Sequence, residues 1–228
     1  MDAASFRLSE TSHGAHDALG AHRHRCGYIA LPLDGVYDEQ SVDGVFKCRP
    51  GVAVVHGDWH EHADCFGAGG GFVMNIALPK GLVEARDGST LVAVDAGAIE
   101  RLARRNPREA ALAVLEEQRA ARALDGAESG WTQTFANEMR ETPQLKIADL
   151  AARLGVSREH ASRKLKASLG ASPAALRGEL RFRLAADLLA GGHRPAHVAA
   201  SAGYADQSHM ARDIKARAGR TPKTFRRT

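Results

Sequence analysis

The hydrophobic rhythm of the chain changes near residue 95. Before that point short apolar runs, Tyr28 to Leu33, Val52 to Val55, Phe72 to Leu78 and Leu91 to Val94, stand between Leu33-Asp34-Gly35, Arg49-Pro50-Gly51 and Arg86-Asp87-Gly88. Short apolar runs bounded by Gly, Pro and Asp read as strands separated by turns. The stretch from Ala21 to Val94 is therefore expected to form an antiparallel sandwich or barrel, with the Gly-Ala-Gly-Gly-Gly run from Gly67 to Gly71 as a flexible hairpin. That run lacks the Lys-Ser/Thr and the following helix that a phosphate cradle needs. From Ala96 the apolar residues recur at helical spacing, with Ile99, Leu102, Leu112 and Leu115 on one side and Glu116 and Arg119 on the other. Pro107 suits a first helical turn, where its missing N–H costs nothing. A further helix is expected from Ser129 to Glu141, ahead of Thr142-Pro143.

Beyond Pro143 the chain repeats itself weakly. Leu154-Gly155-Val156-Ser157 corresponds to Ala202-Gly203-Tyr204-Ala205, Arg163 to Arg212, and Gly170-Ala171-Ser172-Pro173 to Gly219-Arg220-Thr221-Pro222. In the first copy Ile147, Leu150, Ala151 and Leu154 mark one helix face, Gly155 can take a positive φ, and Ser157 can cap the next helix. Helix, tight turn, helix is the implied unit. In the second helix of that unit Ala161, Leu165 and Leu169 point inward, and Glu159, Ser162, Arg163 and Lys166 share the opposite face. The second copy places Met210 and Ile214 inward and Gln207, Ser208, Ala211, Arg212 and Lys215 outward. Each outward face mixes groups able to read base edges with cations for phosphates. Pro173 to Ala190 reads as one helix of about 27 Å at 1.5 Å per residue. A rigid spacer of that size suits two recognition helices about 34 Å apart, entering successive major grooves.

Charge sharpens this division. From Glu141 onward there are 17 Lys and Arg against 7 Asp and Glu, a net of +10; the remainder has 14 against 20, a net of −6. The basic part is expected to meet a polyanion, because each neutralised phosphate releases counterions. Three cysteines, Cys26, Cys48 and Cys65, are odd in number and widely spaced, which does not read as a disulfide framework. With no signal-peptide h-region and no apolar run of about 20 residues, a cytoplasmic protein with no membrane contact is expected.

Over its last 85 residues or so the sequence resembles the AraC/XylS family of transcription regulators. The resemblance rests on Ile147-Ala148-Asp149-Leu150-Ala151, Gly155-Val156-Ser157, Arg163-Lys164-Leu165-Lys166 and Leu169-Gly170-Ala171-Ser172-Pro173. It continues through Arg181 to Leu189, Gly203-Tyr204-Ala205-Asp206-Gln207-Ser208-His209 and Arg212 to Arg227. It implies base contacts from Glu159, Ser162, Arg163, Gln207, Ser208 and Arg212, with Lys166 and Lys215 beside them. It also implies double-stranded DNA and RNA polymerase as partners, and activation as the usual mode. His209-Met210 stands where the family often has an aromatic pair, and Ile214 where Phe is usual, so altered packing is expected there.

The family commonly carries a cupin-like β-barrel ahead of its DNA-binding part, and the first 94 residues resemble one through His22-Arg23-His24, Gly35, Arg49-Pro50-Gly51 and His62 with Ala63-Asp64. Alternate residues of a strand share a face, so His22 and His24 would point together and His62 could approach from a neighbour. Three imidazoles suit a transition metal such as zinc. Metal cupins usually have a Glu after the His pair, where Tyr28 stands here, so two readings stay open: a metal held by His22, His24 and His62, or an organic ligand with these histidines as polar lining. His56, His60 and Cys26 are near enough in sequence to substitute as ligands; otherwise they are background. The expected architecture is α+β: a cupin-like β-barrel sensor over 1–94, a helical connector over 95–141 whose Pro107 to Leu124 helix is a candidate for homodimerisation, and an all-α domain with two helix-turn-helix units over 142–228. The expected function is a non-enzymatic regulator whose DNA affinity follows a metal or small-molecule effector. A metal-dependent cupin-type enzyme is the alternative.

Overall fold

In the computed structural model the chain divides into two compact units, Met1–Ala127 and Glu128–Thr228. The structure describes residues 6–124 and 131–225. The first unit holds seven antiparallel strands: β1 (Arg7–His13), β2 (Ala18–Arg23), β3 (Tyr28–Ser41), β4 (Gly44–Cys48), β5 (Val52–His56), β6 (Glu61–Ala77) and β7 (Ser89–Ala93). Two helices follow, α1 (Ala96–Arg105) and α2 (Pro107–Leu124). The change from strand to helix therefore falls where the periodicity placed it, and Pro107 opens α2.

Sheet order is β1-β6-β3-β5-β7, with β2 paired to β6 and β4 to β3. Among the described residues no pairing joins the ends, so the sheet is open and the expected closed barrel is corrected. The end strand β1, Arg-Leu-Ser-Glu-Thr-Ser-His, is mostly exposed and polar, which discourages further pairing along that edge. Two turn assignments also change. Leu33-Asp34-Gly35 lies inside β3, and Gly67 to Gly71 lies inside β6. The long strands β3 and β6 pair along most of their length but shift register between Pro32 and Asp34 and between Gly35 and Tyr37. These glycines are a shared bend. A Cβ on Gly35, at φ +75, would stand 2.1 Å from the Gly70 carbonyl oxygen, so the two backbones touch where neither residue has a side chain.

Strand alternation then gives the sheet two apolar faces. Ile29, Leu31, Ala53, Val55, Met74 and Ile76 point to one, where Ala103 of α1 and Ala110, Ala111, Val114 and Leu115 of α2 cover them. The apolar stripe of α2 is thus spent largely on its own sheet. Ala30, Tyr37, Val54, Phe66 and Val73 point to the other face and form a second cluster, which walls a cavity.

The second unit is all-helical: α3 (Trp131–Glu141), α4 (Ile147–Arg153), α5 (Arg158–Leu169), α6 (Pro173–Ala190), α7 (Pro195–Ser201) and α8 (Gln207–Ala218). Of the helix expected from Ser129, the first two residues lie outside the described residues. Ser157 caps α5 by accepting from His160 N–H, Ser172 caps α6 and Asp206 caps α8 in the same way. The tight turns use Gly155 at φ +68 and Gly203 at φ +76. The helix expected over Pro173 to Ala190 has those bounds.

Candidate functional site

Two places concentrate chemistry. In the second unit, α4–α5 and α7–α8 are the two helix-turn-helix pairs. Their buried sides are set by Ala161 and Leu165 in α5 and by Met210 and Ile214 in α8, all fully buried. Met210 and Ile214 are thus core residues, and His209 stays outside with its ring 5.3 Å from that of Tyr204. The opposite sides carry Glu159, Arg163 and Lys166 exposed with Ser162 half-buried, and Gln207, Ser208, Arg212 and Lys215 exposed. Each helix therefore presents hydroxyl, amide or carboxylate groups beside two cations on one accessible face.

Behind the second pair lies a polar chain that the sequence reading missed. Tyr204 donates its hydroxyl proton to Asp213 Oδ2 at 2.7 Å, and Arg217 Nε donates to Asp213 Oδ1 at 3.0 Å. Arg217 Nη1 also donates to Glu179 Oε2 at 3.0 Å, and Glu179 Oε1 accepts from Arg183 Nε at 3.1 Å. Glu179 and Arg183 are buried inside α6, so this chain ties the turn before α8 to the central helix. Burial and the bond to Asp213 raise the Tyr204 phenol, keeping it a donor.

In the first unit the cavity, of about 420 Å³, opens on the sheet face away from α1 and α2. Its apolar wall includes Ala30, Tyr37, Phe66 and Val73, and its polar side includes His22, His24, His62 and Asp64. His22 in β2 is paired with His62 in β6. His24 follows β2, where its N–H donates to the His60 carbonyl at 3.1 Å. Ring centroids are 4.4 Å apart for His22 and His62, 4.9 Å for His22 and His24, and 5.3 Å for His24 and His62. One nitrogen from each lies within 4.8 Å of the others, so the structure brings this expected trio together. His22 Nδ1 donates to the Gly20 carbonyl at 2.9 Å, which leaves Nε2 as the free lone pair. Arg23, between the two histidines, turns away to pair with Glu61 at 2.5 Å.

Burial favours the neutral form of His62 and His24. Burial, then His22 and His24, bring His62 down to about 3; burial, then His22, lowers His24. Burial lifts Asp64 to about 6. Tyr28, at the place of the usual Glu, has its hydroxyl 3.2 Å from His62 Nε2, and Asp64 Oδ2 lies 3.5 Å from the same nitrogen. Burial raises the Cys26 thiol, which favours the protonated form over a reactive thiolate; Cys48 is buried and Cys65 exposed.

Beside the trio sits a second group. Glu39, His56, His60 and His62 are all buried, and each offers a ligand atom within 4.8 Å of the others. Spacing along the chain does not bring His56 and His60 to Glu39; the segment joining β5 to β6 does so by running through the interior. It is buried from Ala53 to His60. Asp58 anchors it, accepting from Gly27 N–H at 2.7 Å and Gly81 N–H at 2.8 Å. Gly57 and Gly27 allow the crossing: a Cβ on either would lie 2.3 Å from the Glu84 carbonyl oxygen or 2.6 Å from that of His56, respectively. The legible signal was His56, His60 and His62 within seven residues after a strand.

A family model described as a helix-turn-helix domain matches residues 150–228. No curated protein gives a significant match to the chain. Among solved structures, ToxT from Vibrio cholerae O395 bound to (E)-4-(8-methylnaphthalen-1-yl)but-3-enoic acid is 11% identical, with 97% of this chain and 98% of that chain covered and a TM-score of 0.47. The C-terminal domain of AraT, a response regulator from Geobacillus stearothermophilus, is 25% identical over 43% of this chain and 84% of that chain, with a TM-score of 0.41. A transcriptional regulator from Chromobacterium violaceum with an AraC-type DNA-binding domain is 26% identical over 42% of this chain and 88% of that chain, at a TM-score of 0.38. No helix among the described residues is long and apolar enough to cross a membrane.

Proposed function

We propose that the chain, whose residues 150–228 match a helix-turn-helix domain, is a sequence-specific DNA-binding transcription regulator of the AraC type whose affinity for its operator is set by a small organic effector in the amino-terminal cavity. The observation that carries the reading is the pair of helices α5 and α8, each buried on one side and exposing two cations with base-reading groups on the other. Arg163 and Arg212 occupy equivalent places and are the principal base readers; Lys166 and Lys215 contact phosphate. Glu159 accepts from a cytosine amino group in the first half-site. A cavity of about 420 Å³ with an apolar wall and a few convergent polar groups suits a small organic molecule, with His22, His24 and His62 as hydrogen-bonding lining. The effector acts by differential affinity for two states of the protein, which needs no chemical step.

With an operator obtained by selection from random duplexes, Arg163→Ala and Arg212→Ala should each weaken binding by about 1–3 kcal/mol and relax preference at one or two base positions. Equal loss on operator and random DNA would reduce these residues to phosphate contacts. The wild-type protein should also bind less tightly as salt rises, with a linear log–log dependence. An affinity indifferent to salt would remove DNA as the partner.

A further inference from the structure

The group formed by Glu39, His56, His60 and His62 belongs to the first unit and is not needed for an organic effector. Its composition, three imidazoles and one carboxylate, is that of a four-coordinate zinc site. Bonds of 2.0–2.1 Å in a tetrahedron put neighbouring donor atoms about 3.3–3.4 Å apart. One edge already has this size: Glu39 Oε2 to His56 Nε2 is 3.4 Å, while His60 Nε2 lies 3.7 Å from the other oxygen of the same carboxylate.

The surroundings orient the donors as second-shell groups do at metal sites. His56 Nδ1 is engaged by Ser89 Oγ at 3.1 Å, which turns Nε2 inward. That Nε2 has no hydrogen-bond partner although the residue is fully buried. His60 Nδ1 faces Asp43 Oδ2 at 3.6 Å, and its Nε2 faces inward, 2.6 Å from Ser89 Oγ. His62 Nε2 is taken by Tyr28, and its buried Nδ1 has no hydrogen-bond partner. Ser89 also donates to Glu39 Oε1 at 3.2 Å. Ser89 Oγ, with one proton and two lone pairs, serves all three contacts by donating to Glu39 and accepting from the two imidazoles, so the atoms left without a hydrogen-bond partner are His56 Nε2 and His62 Nδ1. Buried polar atoms left in this condition are costly in a folded protein and call for an ion or another explanation. Glu39 supplies the anionic charge that a dication in a dry interior requires.

We propose that Glu39, His56, His60 and His62 bind one divalent transition-metal ion of the zinc class, at the floor of the cavity and independently of His22 and His24. In binding, His60 Nε2 exchanges its contact with Ser89 for the metal, Ser89 keeps Glu39 Oε1, and Glu39 Oε2 completes the set. His62 is then committed to the inner site, which leaves His22 and His24 to face the cavity.

The test is titration of the full-length, chelator-stripped protein with Co²⁺ alone, followed by visible absorption, with zinc competition for affinity. The expected result is one equivalent per chain with the intense d–d bands of a tetrahedral N₃O site, displaced by Zn²⁺. Glu39→Gln keeps the shape and a partner for Ser89, and should weaken cobalt binding at least tenfold; His56→Ala and His60→Ala should abolish the tetrahedral spectrum. His22→Ala combined with His24→Ala should leave spectrum and stoichiometry unchanged. Absence of a tetrahedral spectrum in the wild-type protein overturns the proposal whatever the variants do. So does a spectrum lost on removal of His22 and His24 but kept in Glu39→Gln, which would place the metal at the outer trio. Operator binding by the stripped protein is measured in parallel, so failure of the metal site and failure of the DNA-binding reading give different results.

Discussion

Glu179→Ala is expected to destabilise the helical unit by about 3–5 kcal/mol, the usual loss when one partner is removed from a buried ion pair. Glu179 is 2% exposed and Arg183 is 0% exposed, so neither charge can recover its hydration when the other goes. The carboxylate faces both ways: Oε1 accepts from Arg183, one turn along α6, and Oε2 accepts from Arg217 in α8. Alanine leaves a guanidinium in the interior of α6 without this carboxylate and releases the Arg217–Asp213–Tyr204 chain that positions the turn before the second recognition helix. Against a total stability of about 5–15 kcal/mol for a domain, such a loss is large. Hydrogen exchange followed by mass spectrometry reads each unit separately. Amides of α6 and α8 should lose protection while those of β3 and β6 do not change, and operator binding should fall at 37 °C before it falls at 20 °C. The pair Glu179→Leu with Arg183→Met should recover much of the loss, because apolar replacements of a buried ion pair are often neutral or better. A cost below about 1 kcal/mol for the single variant would show that the pair is hydrated and unimportant.

That network also marks where sequence reasoning stopped. The helical unit was legible because its signals are local. Ser157, Gly155, Pro173 and the spacing of Ala161 and Leu165 each specify their own turn or face within a few residues, and the duplicated pattern supplied a second copy to compare. Glu179 and Arg183 carry no local signal of burial, because a sequence does not say which face of a central helix is enclosed by α8. The sheet was harder, since its signals are nonlocal. Strand β1 was missed entirely: Arg-Leu-Ser-Glu-Thr-Ser-His has little apolar content, and it is a strand because it pairs with the distant half of β6, from Gly71 to Ala77. The outer trio was foreseen from the i, i+2 spacing of His22 and His24, although His24 lies just beyond the end of β2. The inner group was not, because Glu39 and His56 reach it only through the bend of β3 and the buried turn at Asp58. Residues gathered by a glycine contact leave no spacing to recognise.

The bend itself can be tested. Gly35→Ala should cost the amino-terminal unit about 2–5 kcal/mol, combining about 1–2 for a left-handed alanine with about 1–3 for overpacking. The new Cβ would stand 2.1 Å from the Gly70 carbonyl oxygen and 2.7 Å from the Gly71 Cα. Both are backbone atoms, so no rotamer change relieves the clash, and Gly70 is itself held at φ +66 with its Cβ position 2.3 Å from the His13 carbonyl oxygen. Relief therefore requires β3, β6 and β1 to separate together. Gly51→Ala is the matching control: its φ is +93 but nothing lies within 4 Å of the added Cβ, so it should show the conformational cost alone, about 1–2 kcal/mol. Trp59 and Trp131 are the two tryptophans, one in each unit. In a Trp131→Phe background, urea unfolding followed by Trp59 fluorescence reports the sheet unit. The midpoint for Gly35→Ala should fall well below that for Gly51→Ala. Because the bend carries Tyr37 and Glu39 to the cavity face, Gly35→Ala should also weaken cobalt binding in folded protein, whereas Gly51→Ala should not. Equal midpoints for the two variants would mean that the Gly35–Gly70 contact does not hold the strands together, and the bend would then need another cause.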